Sequence, residues 1–208
     1  LEWTSKAYEC IKDHESEDAI NIIDSYVNSL RSMGHYDQAL PIANSVLEKA
    51  ERTLGPEHPS TLTSVNNLAL LLKSKGDYEE AKPLFRRAMD AFERRFGPEH
   101  PATLTCVNNL AGLLESKGEY VEAEPLFRHA MEACERVLGP EHPHTLTYVG
   151  NLAGLLRSKG EYEEAEPLFR RDLEASERTL GPEHPSTLTS VNNLAGLLES
   201  KGEYVEAE

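Results

Sequence analysis

The chain has 208 residues and a formal charge of −15, from 36 Asp+Glu against 21 Lys+Arg. Such an acidic excess argues against a nucleic-acid partner, which needs a basic face to displace counterions from phosphate. No run of roughly 18 apolar residues is present to cross a membrane, and 39% hydrophobic residues are enough to bury a core rather than leave the chain disordered.

The chain begins at Leu1 rather than Met and shows no charged-then-apolar leader, so a fragment or a processed chain without a signal peptide is expected. Cys10, Cys106 and Cys134 lie far apart with no Cys-x-x-Cys pair, which fits free thiols in a reducing, cytoplasmic setting. Residues 1–12 read as the end of a preceding second helix. Residues 13–54 read as a diverged unit: Ile23, Leu30, Gly34, Tyr36, Ala39, Pro41 and Leu47 fall 42 residues before Val65, Leu72, Gly76, Tyr78, Ala81, Pro83 and Met89.

From residue 55 the repetition is explicit. Gly-Pro-Glu-His-Pro occurs at 55–59, 97–101, 139–143 and 181–185, always 42 residues apart. Residues 181–208 match 97–124 at 26 of 28 positions, which indicates tandem duplication. The units are therefore 55–96, 97–138, 139–180 and a truncated 181–208, forming one continuous solenoid domain with 13–54. Within a unit, Leu62, Val65, Leu68, Ala69 and Leu72 mark the apolar stripe of a first helix. Pro59 suits its first turn and Gly76 its left-handed stop. Asp77, with Glu80 three residues on, is expected to cap the second helix. Tyr78, Ala81, Leu84, Phe85, Ala88, Met89, Phe92 and Phe96 form its wider stripe, and Gly97-Pro98 end it. Pro83, like Pro41, Pro125 and Pro167, should cost one backbone bond and bend the helix slightly. The expected fold is all-α: a right-handed superhelical solenoid of antiparallel helix hairpins, each covering the open face of the last.

The order Leu68-Ala69, Leu72, Gly76, Tyr78, Ala81, Phe85, Ala88 resembles the tetratricopeptide repeat, here about eight residues longer than the usual unit of about 34. The stretch Glu51-Arg52-Thr53-Leu54-Gly55-Pro56-Glu57-His58-Pro59 and the pair Asn66-Asn67 are similar to the long repeats of kinesin light chain. They also resemble arrays attached to fungal and bacterial NB-ARC-type ATPases and CHAT-type proteases, and the near-identity of neighbouring units is closer to those arrays. The resemblance implies a non-enzymatic scaffold that binds a partner protein or peptide on a concave wall built from the first helices. It also implies two alternatives: a sensor or self-association arm of a larger ATPase or protease, and an architectural spacer.

By position that wall would carry Asn66, Asn67, Leu70 and Lys73, then Asn108, Asn109 and Glu115, then Asn151 and Arg157, then Asn192 and Asn193. Asparagine both donates and accepts, so a column of them can bond an extended peptide whatever its side chains. Glycines such as Gly112, Gly150, Gly154 and Gly196 leave room for those side chains. The alternative for Asn67, Asn109, Asn151 and Asn193 is a structural one, tying neighbouring hairpins together. The lysines of a carboxylate clamp are missing, since Asn66 or Asn108 and Leu70 or Gly112 stand in their places.

No metal, cofactor or catalytic group is expected. His58, His100, His142 and His184 come one per hairpin, too far apart to converge on an ion, and read as turn residues. Cys106 alternates with Ser64, Tyr148 and Ser190, and Cys134 with Phe92 and Ser176, which does not suit a nucleophile. Asp172 stands where other units have Ala88 or Ala130, so it should be partly exposed or paired to a cation such as Arg171. Only residues 55–96 are not acidic (+1), owing to Lys73, Lys75, Lys82, Arg86, Arg87, Arg94 and Arg95; an acidic partner would engage there. The truncated end at Glu208 should leave an apolar face open for head-to-tail self-association.

Overall fold

The computed structural model describes residues 14–202. Among these the regular structure is all helical: α1 (Glu17–Ser32), α2 (Tyr36–Thr53), α3 (Pro59–Lys75), α4 (Tyr78–Phe96), α5 (Pro101–Ser116), α6 (Tyr120–Leu138), α7 (Pro143–Lys159), α8 (Tyr162–Leu180) and α9 (Pro185–Lys201). The expected helix at residues 1–12, Cys10 and the start of a last second helix beyond Gly202 lie outside the described residues.

Two compact units, residues 1–113 and 114–208, make up the chain. In the first, α1 packs on α2 and α3, α2 on α3, and α3 on α4. In the second, α6 packs on α7, α7 on α8 and α9, and α8 on α9. Every partner is a near neighbour in sequence, as in an all-α repeat array.

The Gly-Pro-Glu-His-Pro segment works as a stop followed by a start. Gly97 closes α4 with φ 91° and ψ 166°, a region that only glycine enters cheaply. The histidine then caps the next helix. His58 Nδ1 accepts from the Ser60 amide at 3.3 Å, His100 from Ala102 at 3.2 Å, His142 from His144 at 3.2 Å and His184 from Ser186 at 3.2 Å. The proline after each histidine fills the first helical position, where no amide is needed. Gly76, at φ 96° and ψ 2°, closes α3 as expected. Asp77 does not cap α4: its side chain makes no cap bond and pairs with Lys75 at 3.1 Å instead. The second helices run unbroken past Pro41, Pro83, Pro125 and Pro167.

In the first unit Ile20, Ile23, Val46 and Ala50 form a cluster flanked by Ile42 and Leu54. Further along, Leu62, Val65, Leu68 and Leu72 of α3 are buried, as are Ala81, Phe85, Ala88 and Phe92 of α4. In the second unit Leu146, Val149, Leu152 and Leu156 of α7 are buried, as are Ala165 and Phe169 of α8. The alanines let helix backbones approach closely, and each enclosed phenylalanine contributes about 1.5–3 kcal/mol of burial. Phe96 departs from the expected stripe, being 40% exposed and stacked on His100 at 4.5 Å.

A column of buried threonines joins each first helix to the segment before it. Thr103 Oγ1 donates to the Gly97 carbonyl at 2.9 Å, Thr145 to Gly139 at 2.8 Å and Thr187 to Gly181 at 2.8 Å. Thr61 donates instead to the Ala50 carbonyl at 3.3 Å. Each bond adds a second donor to a carbonyl that also accepts a backbone amide, from Leu54, His100, His142 or His184.

Candidate functional site

The asparagines of the first helices fall into two sets. Asn66 and Asn67 are buried on α3, whereas Asn108, Asn109, Asn151 and Asn193 are half-buried and Asn192 is exposed. Asn66 Oδ1 accepts from Asn109 Nδ2 at 3.0 Å and faces the Cys106 thiol at 3.9 Å. The same joint recurs one unit earlier with a carboxylate in place of the amide. Ser64 Oγ donates to Asp24 Oδ2 at 2.5 Å, and Asn67 also hydrogen-bonds Asp24. In both joints one first-helix side chain receives groups placed 40 and 43 residues later. Asn67 and Asn109 therefore tie hairpins together.

Asp24 is the strained member of this series. It is 4% exposed, and among the described residues its Oδ1 is buried with no hydrogen-bond partner. Burial pushes its carboxyl up to about 6, against the opposing pull of Ser64 and Asn67.

The second unit builds the joint differently. Gly150 occupies the position of Asn66, and Asp172 occupies the position of Ala88. Asp172 reaches from α8 into the space an asparagine would fill: its Oδ2 lies 3.6 Å from where a Gly150 Cβ would stand. Ser190, equivalent to Ser64, hydrogen-bonds Asp172, while burial holds the carboxyl above its ordinary range. The expectation for Asp172 is thereby corrected. It is only 7% exposed, and Arg171 turns away to Glu135 at 3.0 Å and the Pro140 carbonyl at 3.2 Å. Among the described residues no cation pairs with Asp172. The exchange leaves a cavity of about 280 Å³ between α7, α8 and α9. Its polar wall includes Asn151, Asp172, Ser176, Ser190 and Asn193, and Pro143, Leu146 and Leu180 line it with apolar surface.

The inward charges are held in different ways. The Arg157 guanidinium stands over the Phe169 ring at 5.9 Å, and its Nη1 comes within 3.0 Å of where a Gly196 Cβ would be. Lys73, Leu70 and Glu115 are half-buried on α3 and α5. Several cations of residues 55–96 are engaged within the first unit: Lys75 with Asp77 at 3.1 Å, Arg87 with Glu51 at 2.7 Å and Arg94 with Glu57 at 3.1 Å. In the second unit Glu124 sits between Lys159 at 2.5 Å and Arg128 at 2.9 Å, and these cations hold its carboxyl below the usual range. Lys201 and Arg170 do the same to Glu166. These half-buried pairs fix the second helix against the end of the following first helix.

Cys106 and Cys134 are buried and free of disulfides, and burial pushes the Cys106 thiol up to about 12. Among the described residues no group of three or more His, Cys, Asp or Glu is placed to hold a metal ion, and no helix is long and apolar enough to cross a membrane.

The tetratricopeptide repeat profile matches residues 19–94, 62–118, 105–171 and 147–208. Comparison with curated proteins returns no match. Among solved structures, one from Podosopora anserina, provisionally assigned as a kinesin light chain with nearly identical TPR-like repeats, is 27% identical; it covers 92% of this chain and 90% of its own, with a TM-score of 0.76. BtubC (BKLC) from P. vanneervenii is 19% identical over 98% of this chain and 82% of its own, with a TM-score of 0.78. The apo quorum sensor NprR from B. thuringiensis is 15% identical over 99% of this chain and 55% of its own, at 0.72.

Proposed function

The chain belongs to the tetratricopeptide repeat family, and from that premise we propose that it is a non-enzymatic scaffold that takes a segment of a partner protein on its first-helix face. The observation that carries this reading is the division of labour among the asparagines. Asn66 and Asn109 are occupied by each other and Asn67 by Asp24, whereas Asn192, at the position of Asn66 in the last first helix, is exposed. The candidate contact residues in the first unit are Leu70, Lys73 and Asn108, while Asn66, Asn67 and Asn109 are taken up by the joints. In the second they are Glu115, Asn151, Arg157, Asn192 and Asn193. A surface of alternating amide, small and charged groups suits backbone hydrogen bonding to an extended segment. Specificity then falls to Lys73 in the first unit and to Glu115 and Arg157 in the second. The buried, unpaired thiols Cys106 and Cys134 suit a cytoplasmic location.

The test is affinity selection of peptides on the wild type and on an Asn192→Ala variant. Asn66 stays intact because its loss would disturb the joint with Asn109. Loss of the selected peptides in the variant supports the face; the same peptides at the same affinity count against it.

A second reading has its own observation. Leu188 and Val191 of α9 are 50% and 40% exposed, whereas their equivalents Leu146 and Val149 are buried, and Ile22 of α1 is 45% exposed. These apolar residues support head-to-tail pairing of two copies. Sedimentation that stays monomeric at high concentration would count against it.

A further inference from the structure

The cavity between α7, α8 and α9 has no counterpart in the residue choices of the other units. Where the chain has Asn66 it has Ala88, and where it has Asn108 it has Ala130; only one unit combines Gly150 with Asp172. A glycine alone would leave a hole, and a carboxylate alone would have no room. Together they produce a walled space of about 280 Å³ with a carboxylate set into it. That is slightly below the roughly 300–1,000 Å³ of drug-sized sites, so it suits one side chain rather than a cofactor.

The charge of that space needs a partner. Asp172 is 7% exposed, Ser190 hydrogen-bonds it, and among the described residues no Lys, Arg or His pairs with it. A buried carboxylate without a counter-charge is costly, and a cation entering the cavity removes that cost. The apolar lining, with Pro143, Leu146 and Leu180, matches a methylene stem, and the amides of Asn151 and Asn193 supply oxygen acceptors for a cationic head.

We propose that this cavity is a specificity pocket for a lysine or arginine side chain, bound with its cationic head on the Asp172 carboxylate and its stem along the apolar lining. The proposal rests on the first-helix face being the partner-binding face. It assigns one position of the bound segment a required positive charge, in a chain whose own charge is −15.

The test separates the pocket from the face. The 15N-labelled full chain is titrated with Nα-acetyl-lysine methylamide, Nα-acetyl-arginine methylamide and the neutral Nα-acetyl-norleucine methylamide, and backbone amide shifts are followed. Gly150→Asn and Asp172→Ala serve as variants, since each installs the residue the chain already uses at the equivalent position. Circular dichroism confirms that both fold. The expected result is saturable shifts at Gly150, Asn151 and Asn193 with at least one cationic probe, ten-fold or more weaker with norleucine and in either variant. No saturable shift at these residues, equal shifts with norleucine, or unchanged binding in Gly150→Asn would each overturn the proposal. Because the probes are single residues, such a failure leaves the peptide-face reading standing. Failure of peptide selection, with the probes still binding, removes the face and keeps the pocket.

Discussion

Replacing Asp24 by asparagine tests the electrostatics of the hairpin joint most directly. The chain itself uses asparagine at the equivalent positions 66, 108 and 192, so the shape of the site accepts it. The Asp24 carboxyl is raised from 3.8 to about 6, by burial first and against the hydrogen bonds from Ser64 and Asn67. A displacement of about two pH units corresponds to about 3 kcal/mol between folded and unfolded chain. The sign follows from proton binding. Between pH 3.8 and about 6 the folded state holds a proton that the unfolded state has released, so stability falls as pH rises through that window. Above it the full penalty is present; below it, none. Asp24→Asn should therefore be more stable than wild type by up to about 3 kcal/mol above pH ~7, a rise in melting temperature of about 6–12 °C for a chain of this size. The gain should shrink to nothing near pH 4. Calorimetric melting of both proteins from pH 4 to 8 measures it, because every other titrating group cancels in the difference. A difference that does not change with pH, or a variant less stable at pH 8, refutes the reasoning.

Three further outcomes are expected. Thr145→Val removes the shorter of two donors to the Gly139 carbonyl, the hydroxyl at 2.8 Å beside the His142 amide at 3.4 Å, and should lower stability by about 0.5–1.5 kcal/mol in chemical denaturation; a change below experimental error would show that the amide alone suffices. Gly154 lies inside α7 with nothing within 4 Å of where its Cβ would be, so Gly154→Ala should stabilise by about 0.5–1 kcal/mol in the same assay, and any loss would contradict the open geometry. Cys106, buried and with its thiol pushed up to about 12, should resist iodoacetamide at pH 8 in the native protein and react in urea; native labelling at the rate of a free thiol would contradict this.

The helices and their ends were legible because each is written in local chemistry. Apolar residues spaced for a helix, a glycine that alone tolerates the Gly76 or Gly97 conformation, and a proline at the start each act within a few residues of chain. Asp77 shows where local rules fail, since a cap competes with a nearby cation and Lys75 wins. The histidines read only as turn residues and the buried threonines gave no signal, because their partners are backbone atoms that only the fold brings into reach. Asp172 was visible as an exception and its surroundings were not. Its reason lies on another helix, at Gly150, and no single column carries the signal of two columns changing together.

The joint between hairpins also bears on how such a chain changes length. Its donors sit 40 and 43 residues after the acceptor, on the same positions of each successive unit. A recombination event that inserts or deletes one whole unit of 42 residues therefore keeps an amide donor in register, since Asn67, Asn109, Asn151 and Asn193 share that position, while the donor 40 residues on changes among Ser64, Cys106, Tyr148 and Ser190. Even the unit with Gly150 and Asp172 accepts an ordinary successor, because it asks only for a serine where Ser190 stands. Copy number can thus drift at the level of the gene while the asparagine of each joint is inherited in register.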